Sequence, residues 1–150
     1  MKLCNAEFPS LYPRTLVCTL ALLACPAHAN PPNVDYLIQC QGCHLADGSA
    51  SRYVPALKDR IGRFIEVPGG RAYLVQVPGS AQAAIDDARL AAVLNWMIER
   101  FGPERVARDF TRFGAEEVGR YRREPLVDVE PLRSELLAAV AALEAKRAAD

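Results

Sequence analysis

Neither sign of charge is in excess in this 150-residue chain: 18 Lys and Arg balance 18 Asp and Glu, a formal net charge of +0. Without a basic surplus there is no electrostatic footprint for nucleic acid, and without an acidic tail there is no disordered, solvating block. Histidine and methionine are scarce, two of each. Cysteine stops at residue 43, so no disulfide framework runs through the chain. No internal repeat is visible, and no apolar run is long enough to span a bilayer as a stable helix. The length suits one small domain with something appended.

Residues 1–29 read as an export signal. Lys2 and Arg14 supply positive charge, Leu16 to Ala24 is a short apolar run, and Ala27-His28-Ala29 is a small-residue cleavage site. Leu22-Leu23-Ala24-Cys25 also has the form of a bacterial lipobox, in which Cys25 would be lipidated and anchor the chain to a membrane. Plain cleavage after Ala29 gives a periplasmic or otherwise exported protein. Of the five cysteines, Cys4, Cys18 and Cys25 would leave with the signal, and Cys40 and Cys43 would remain.

Those two sit in Cys40-Gln41-Gly42-Cys43-His44, a C-x-x-C-H pattern of the kind that attaches a c-type haem. Two thiols two residues apart on a helical turn can add across the two vinyl groups of one haem. A histidine directly after the second thiol reaches the iron as proximal ligand. Three other readings compete. A thioredoxin-like site needs a strand before the C-x-x-C, and the pattern here is helical. Zinc needs two further ligands, and the chain after Ala29 has no other Cys or His. Chance is the third.

The rest reads as all-α. Asn33 is a candidate N-cap for a short helix from Val34 to about Gln41. Asp47-Gly48-Ser49 is a turn signal. Residues 45–84 have scattered Gly and Pro, which predicts loops and short helices, with Tyr73 to Val77 helical or extended. Ile85 to Phe101 is the clearest helix. Asp86 is its cap, Ile85 and Leu90 are spaced as a staple, Leu90, Leu94, Met97 and Phe101 form the apolar stripe, and Gly102-Pro103 is the stop. Beyond it, a helix over about Ala115–Arg123 precedes Glu124-Pro125. A last helix runs from about Val129 to Lys146, capped by Asp128, with Leu132, Leu136, Val140 and Leu143 as its stripe. From Arg100 to Arg123 seven Arg face four acids, and from Glu124 to Asp150 six acids face three bases. Two faces that partly pair with each other explain this, as does a basic docking surface for a redox partner.

From residue 34 to 101 the chain resembles the small single-haem cytochromes c. Tyr36 stands four residues before Cys40, where the family has an aromatic. Val54-Pro55-Ala56-Leu57 followed by Gly62-Arg63 resembles the family's G-P-x-L … G-R segment, and Trp96 falls where an aromatic of the last helix crosses the first. With the export signal over 1–29 and the two appended helices read above, the resemblance implies a haem domain over 30–101, followed by a helical extension over 102–150. It implies one covalent haem c wrapped by helices. Pro55 would orient His44 through its carbonyl, and Arg63 would lie near a haem propionate.

One departure matters. The family takes its sixth iron ligand from a methionine in a loop before the last helix, and residues 45–84 contain neither Met nor His. Met97 lies inside the helix instead, as a core residue or as the sixth ligand. Lys58, a tyrosine, a backbone amine and the appended helices are the other candidates. A filled sixth site predicts an electron carrier without catalytic residues of its own. An open or weakly held one predicts a protein that binds or senses a small ligand. A third reading makes the extension a partner-binding module with the haem secondary.

Overall fold

The computed structural model describes residues 30–150 apart from Tyr53. The expected export signal, with Cys4, Cys18 and Cys25, lies outside these residues. All regular structure among the described residues is helical and no strand forms, in agreement with the all-α expectation.

Helix α1 spans Pro32–Gln39. It starts two residues earlier than Val34, because Pro32 occupies the first helical position, where its fixed φ is already helical and its missing N–H is not needed. Asn33 therefore lies inside the first turn and does not cap it; Pro31 holds the cap position without a side-chain bond. Short helices α2 (Ile61–Phe64), α3 (Gly70–Gln76) and α4 (Pro78–Ala81) follow in the Gly- and Pro-punctuated region.

Helix α5, Asp87–Phe101, has the expected cap: Asp86 accepts from the Arg89 N–H at 2.8 Å. Its inward stripe is buried at Leu90, Val93, Leu94, Met97, Ile98 and Phe101. Three helices follow, not two. Helix α6 covers Glu104–Asp109, α7 covers Ala115–Arg122 and α8 covers Glu130–Ala149. Val129 holds the α8 cap position, while Asp128 accepts from the Glu130 N–H at 3.2 Å from just outside.

Helix α5 is the axle of the fold. It packs against α1, α2, α6 and α7, while α8 lies on α2 and α3. Phe113, Val118, Leu136 and Val140 of the last third are buried in the same cluster as Leu90, Leu94 and Ile98. Each large apolar side chain so buried contributes roughly 1.5–3 kcal/mol.

Polar clamps fix this arrangement. Asn95 is buried on α5 and exchanges two hydrogen bonds with the Phe113 backbone, donating to its carbonyl at 3.0 Å and accepting from its N–H at 2.7 Å. Arg71 forks onto Glu117 with two 2.7 Å bonds, donates to the Thr111 carbonyl and lies 3.9 Å over the Phe113 ring. The pair holds the Glu117 carboxyl below its ordinary pKa, mainly through the Arg71 hydrogen bonds.

Candidate functional site

Helix α1 delivers the five-residue motif. Its last turn runs on past Gln39: the N–H groups of Cys40 and Gln41 bond to the Tyr36 carbonyl at 2.9 and 3.0 Å, and those of Cys43 and His44 bond to the Cys40 carbonyl at 3.1 and 2.9 Å. The two cysteines and the histidine therefore share one tight coil of backbone. Cys40 is half-buried, Cys43 is exposed, and both are unpaired thiols. Burial pushes the Cys40 thiol up to about 11, with Cys43 and Asp35 adding to the effect.

His44 is half-buried, and burial lowers its pKa. Its Nδ1 is buried and has no partner in good hydrogen-bond geometry. The Pro55 carbonyl is nevertheless near enough to act against burial and favour the charged ring. A short approach of Nδ1 to that carbonyl would satisfy the ring's one buried nitrogen and leave Nε2 as the donor atom for a metal.

Tyr36 is the anchor beneath the motif. Its ring is 1% exposed and lies 5.1 Å from Trp96 and 5.5 Å from Phe101 between centroids, the crossing of first and last core helices that Tyr36 and Trp96 predict. Its hydroxyl donates to the Leu45 carbonyl at 2.7 Å. Gly48, in the expected turn, has φ +76° and sits against the Phe101 ring, while its carbonyl accepts from the N–H groups of Leu57 and Lys58. This joins the loop after His44 to the segment after Pro55.

Beside Tyr36, the Asp35 carboxylate is also 1% exposed. Arg89 forks onto it, with Nε to Oδ2 at 3.0 Å and Nη2 to Oδ1 at 2.5 Å, and Asn30 donates to Oδ1 at 3.2 Å. The Arg89 hydrogen bonds hold Asp35 below the ordinary carboxylate range, against the opposing effect of burial. Neither residue stands out in sequence, because a cation 54 residues away gives no periodic signal.

The remaining sequence candidates are placed as follows. Arg63 is on α2, where its Nη1 donates to Glu144 of α8 at 2.7 Å, while its buried Nε has no partner. Arg63 also lines a cleft with Lys58, Arg60, Phe64 and Val140 that includes no residue of the motif. Met97 is 6% exposed, within the apolar core on the inward side of α5. Among the described residues no three of His, Cys, Asp and Glu gather as a metal-holding group. None of their helices is long and apolar enough to cross a membrane.

Comparison with known proteins reaches the same region. The chain is similar to a cytochrome c-552 of Thermus thermophilus, 30% identical over 138 residues that cover 79% of this chain and 93% of the relative. A second cytochrome c-552 of Thermus thermophilus is 29% identical over 113 residues, covering 63% of this chain and 86% of the relative. The 79% share is more than residues 1–101 hold, so the first match runs into the helices beyond α5. No protein-family model matches the chain. No solved structure matches it.

Proposed function

The chain belongs to the c-type cytochromes, and from that premise we propose that it is an exported carrier of single electrons with one haem c fixed at Cys40 and Cys43. The observation that carries the proposal is the coil from Tyr36 to His44: two unpaired thiols and a histidine whose buried Nδ1 has no hydrogen-bond partner, on one anchored stretch of backbone. Bound haem supplies a one-electron iron couple. The chain's own residues do the rest. Cys40 and Cys43 hold the group by thioether bonds, and His44 offers Nε2 to the iron. Pro55 fixes the imidazole ring. Arg63, with its Nε unpartnered, is the propionate candidate. The apolar core around Tyr36, Trp96 and Phe101 keeps water from this side.

The redox partner is a protein. Docking through residues 100–123 would use Arg100, Arg120 and Arg123, which are exposed. Arg108, Arg112 and Arg122 of that segment pair within the chain, with Glu104, Glu99 and Asp87.

A second reading has one observation in its favour. Met97 is packed in the core, and residues 45–84 offer no Met or His, so the sixth iron position would be open or weakly held and would admit a small ligand. Absorption spectra with and without carbon monoxide separate the two: a reduced low-spin form that ignores the gas supports the carrier. The shared premise is tested by haem staining after denaturing electrophoresis of the exported protein. Cys40→Ala with Cys43→Ala should abolish the stain, and equal staining would overturn both readings.

A further inference from the structure

Asp35 is the one buried carboxylate among the described residues. Its partner Arg89 is partly exposed, with 28% of its side chain open to solvent, so the pair mainly offsets the cost of burying the Asp35 charge and is a poor source of net stability. Directional specificity is the better-attested use of such pairs, and the geometry around α1 shows what is specified here. Tyr36 packs on Trp96 and Phe101 near the C-terminal end of α5, an apolar contact with little directionality. Asp35, the adjacent residue, is gripped at the other end of α5 by the planar fork of Arg89. A bidentate charge-assisted contact fixes orientation as well as distance. Two anchors one residue apart on α1, reaching opposite ends of α5, set both the direction and the rotation of α1. Each residue of helix turns the chain by about 100°, so rotation decides where the thiol of Cys40 and the ring of His44 point.

We propose that Asp35 is a positioning residue for haem attachment: gripped by Arg89 and Asn30, it fixes the rotation of α1 and thereby aims Cys40 and His44, and it leaves an oriented charge pair beside the attachment site. The inference rests on the proposed covalent haem. In the attachment step each thiol adds across a vinyl double bond. The sulfur bonds to one carbon and the hydrogen ends on the other, so no oxidant or reductant is consumed. The influence of Asp35 on the Cys40 thiol agrees with their proximity.

The test compares Asp35→Asn, Arg89→Gln and Arg89→Lys in the exported full chain. Two quantities are read: the fraction of chains carrying covalent haem, by mass, and the midpoint potential of the loaded fraction in alkaline buffer, where a carboxylate without its partner is ionised. Arg89→Lys keeps the charge and loses the fork. It should reduce loading severalfold and leave the potential of the loaded fraction unmoved. Asp35→Asn removes a negative charge that favours oxidised iron, so the potential should rise; Arg89→Gln should lower it. Shifts of opposite sign place the charge pair beside the attachment site, and the loading lost in Arg89→Lys, which keeps the charge, shows that the fork aims the helix. Potentials that move together, or stay still with loading intact, overturn the proposal. Where Asp35→Asn and Arg89→Gln fail to accumulate, Arg89→Lys decides, and unchanged loading overturns it. A wild-type chain without covalent haem would instead sink the proposed function itself, an outcome visible before any variant is made.

Discussion

The hydroxyl of Tyr36 and the carbonyl of Leu45 meet at 2.7 Å, across the whole of the five-residue motif. One residue lies in the helix that enters the motif and the other in the loop that leaves it, so this bond closes a ring around Cys40 to His44. Burial, with smaller effects from Cys40 and Asp47, pushes the phenol up to about 12, and the donor proton stays in place at physiological pH. Tyr36→Phe keeps the ring contacts and deletes the bond. We predict a loss of about 1 kcal/mol, read by thermal or denaturant unfolding. Tyr36→Ala removes the anchor and should cost roughly 3–5 kcal/mol. Equal stabilities for the two variants would contradict the assignment.

Gly48 cannot carry a side chain. At φ +76° a Cβ would lie 2.7 Å from Cδ1 of the Phe101 ring, and the left-handed backbone disfavours an L-residue by itself. Gly48→Ala should destabilise the fold by about 2–4 kcal/mol, from overpacking plus backbone strain. An unfolding midpoint matching wild type would show that the turn relaxes freely.

Asn95 ties the segment after α6 to α5 through both of its amide atoms. Asn95→Ala leaves the N–H and the carbonyl of Phe113 unpaired in a buried site, at roughly 1–3 kcal/mol for each group. Hydrogen exchange at the Phe113 amide should accelerate more than at amides of the α1 turn. Uniform acceleration would mean that the whole fold, and not this segment, had loosened.

Acid should weaken the fold through two carboxylates. Asp35 and Glu117 are both held below their ordinary pKa by arginine hydrogen bonds. A depressed folded pKa stabilises above the unfolded value of about 4, and that stabilisation is lost as pH falls through the lower folded values. Stability measured from neutral pH downward should therefore stay level until about pH 4 and then decline. The decline should be shallower in Glu117→Gln, and an unchanged slope would remove Glu117 from the account.

Met97→Leu conserves volume on the buried stripe of α5 and should cost less than about 1.5 kcal/mol. An unchanged spectrum of the haem-loaded protein would assign Met97 to packing. A change from low-spin to high-spin iron would make it the sixth ligand.

The apolar framework is legible in the sequence, and the polar one is not. Asp86 and the stripe from Leu90 to Phe101 announce α5 because periodicity and caps are local signals. Tyr36 and Trp96 place the first helix against the last core helix. The start of α1 is misplaced by two residues because Asn33 is the stronger cap signal, although Pro32 suits a first helical position. Helix α6 spans six residues, Glu104–Asp109, too few for a period to show. The clamps of Asp35 with Arg89, Arg71 with Glu117 and Asn95 with Phe113 join residues 18 to 54 positions apart. Composition says that arginines are present, and only the folded chain says which acid each one meets.

Arg122, at the end of α7, donates to the carbonyls of Ala81, Ala83 and Ile85 and to Asp87. It thus supplies hydrogen-bond partners to the connection that launches α5, a stretch with little regular structure of its own. A gene shortened after Phe101 would keep every residue of the C-x-x-C-H motif yet expose those carbonyls and unroof the far side of α5. A chain ending at Phe101 should therefore unfold more readily than one ending beyond Arg122, a difference that thermal unfolding of the two would read. Proteases cutting the native protein should spare the connection from Ala81 to Asp86 for as long as α7 stays seated.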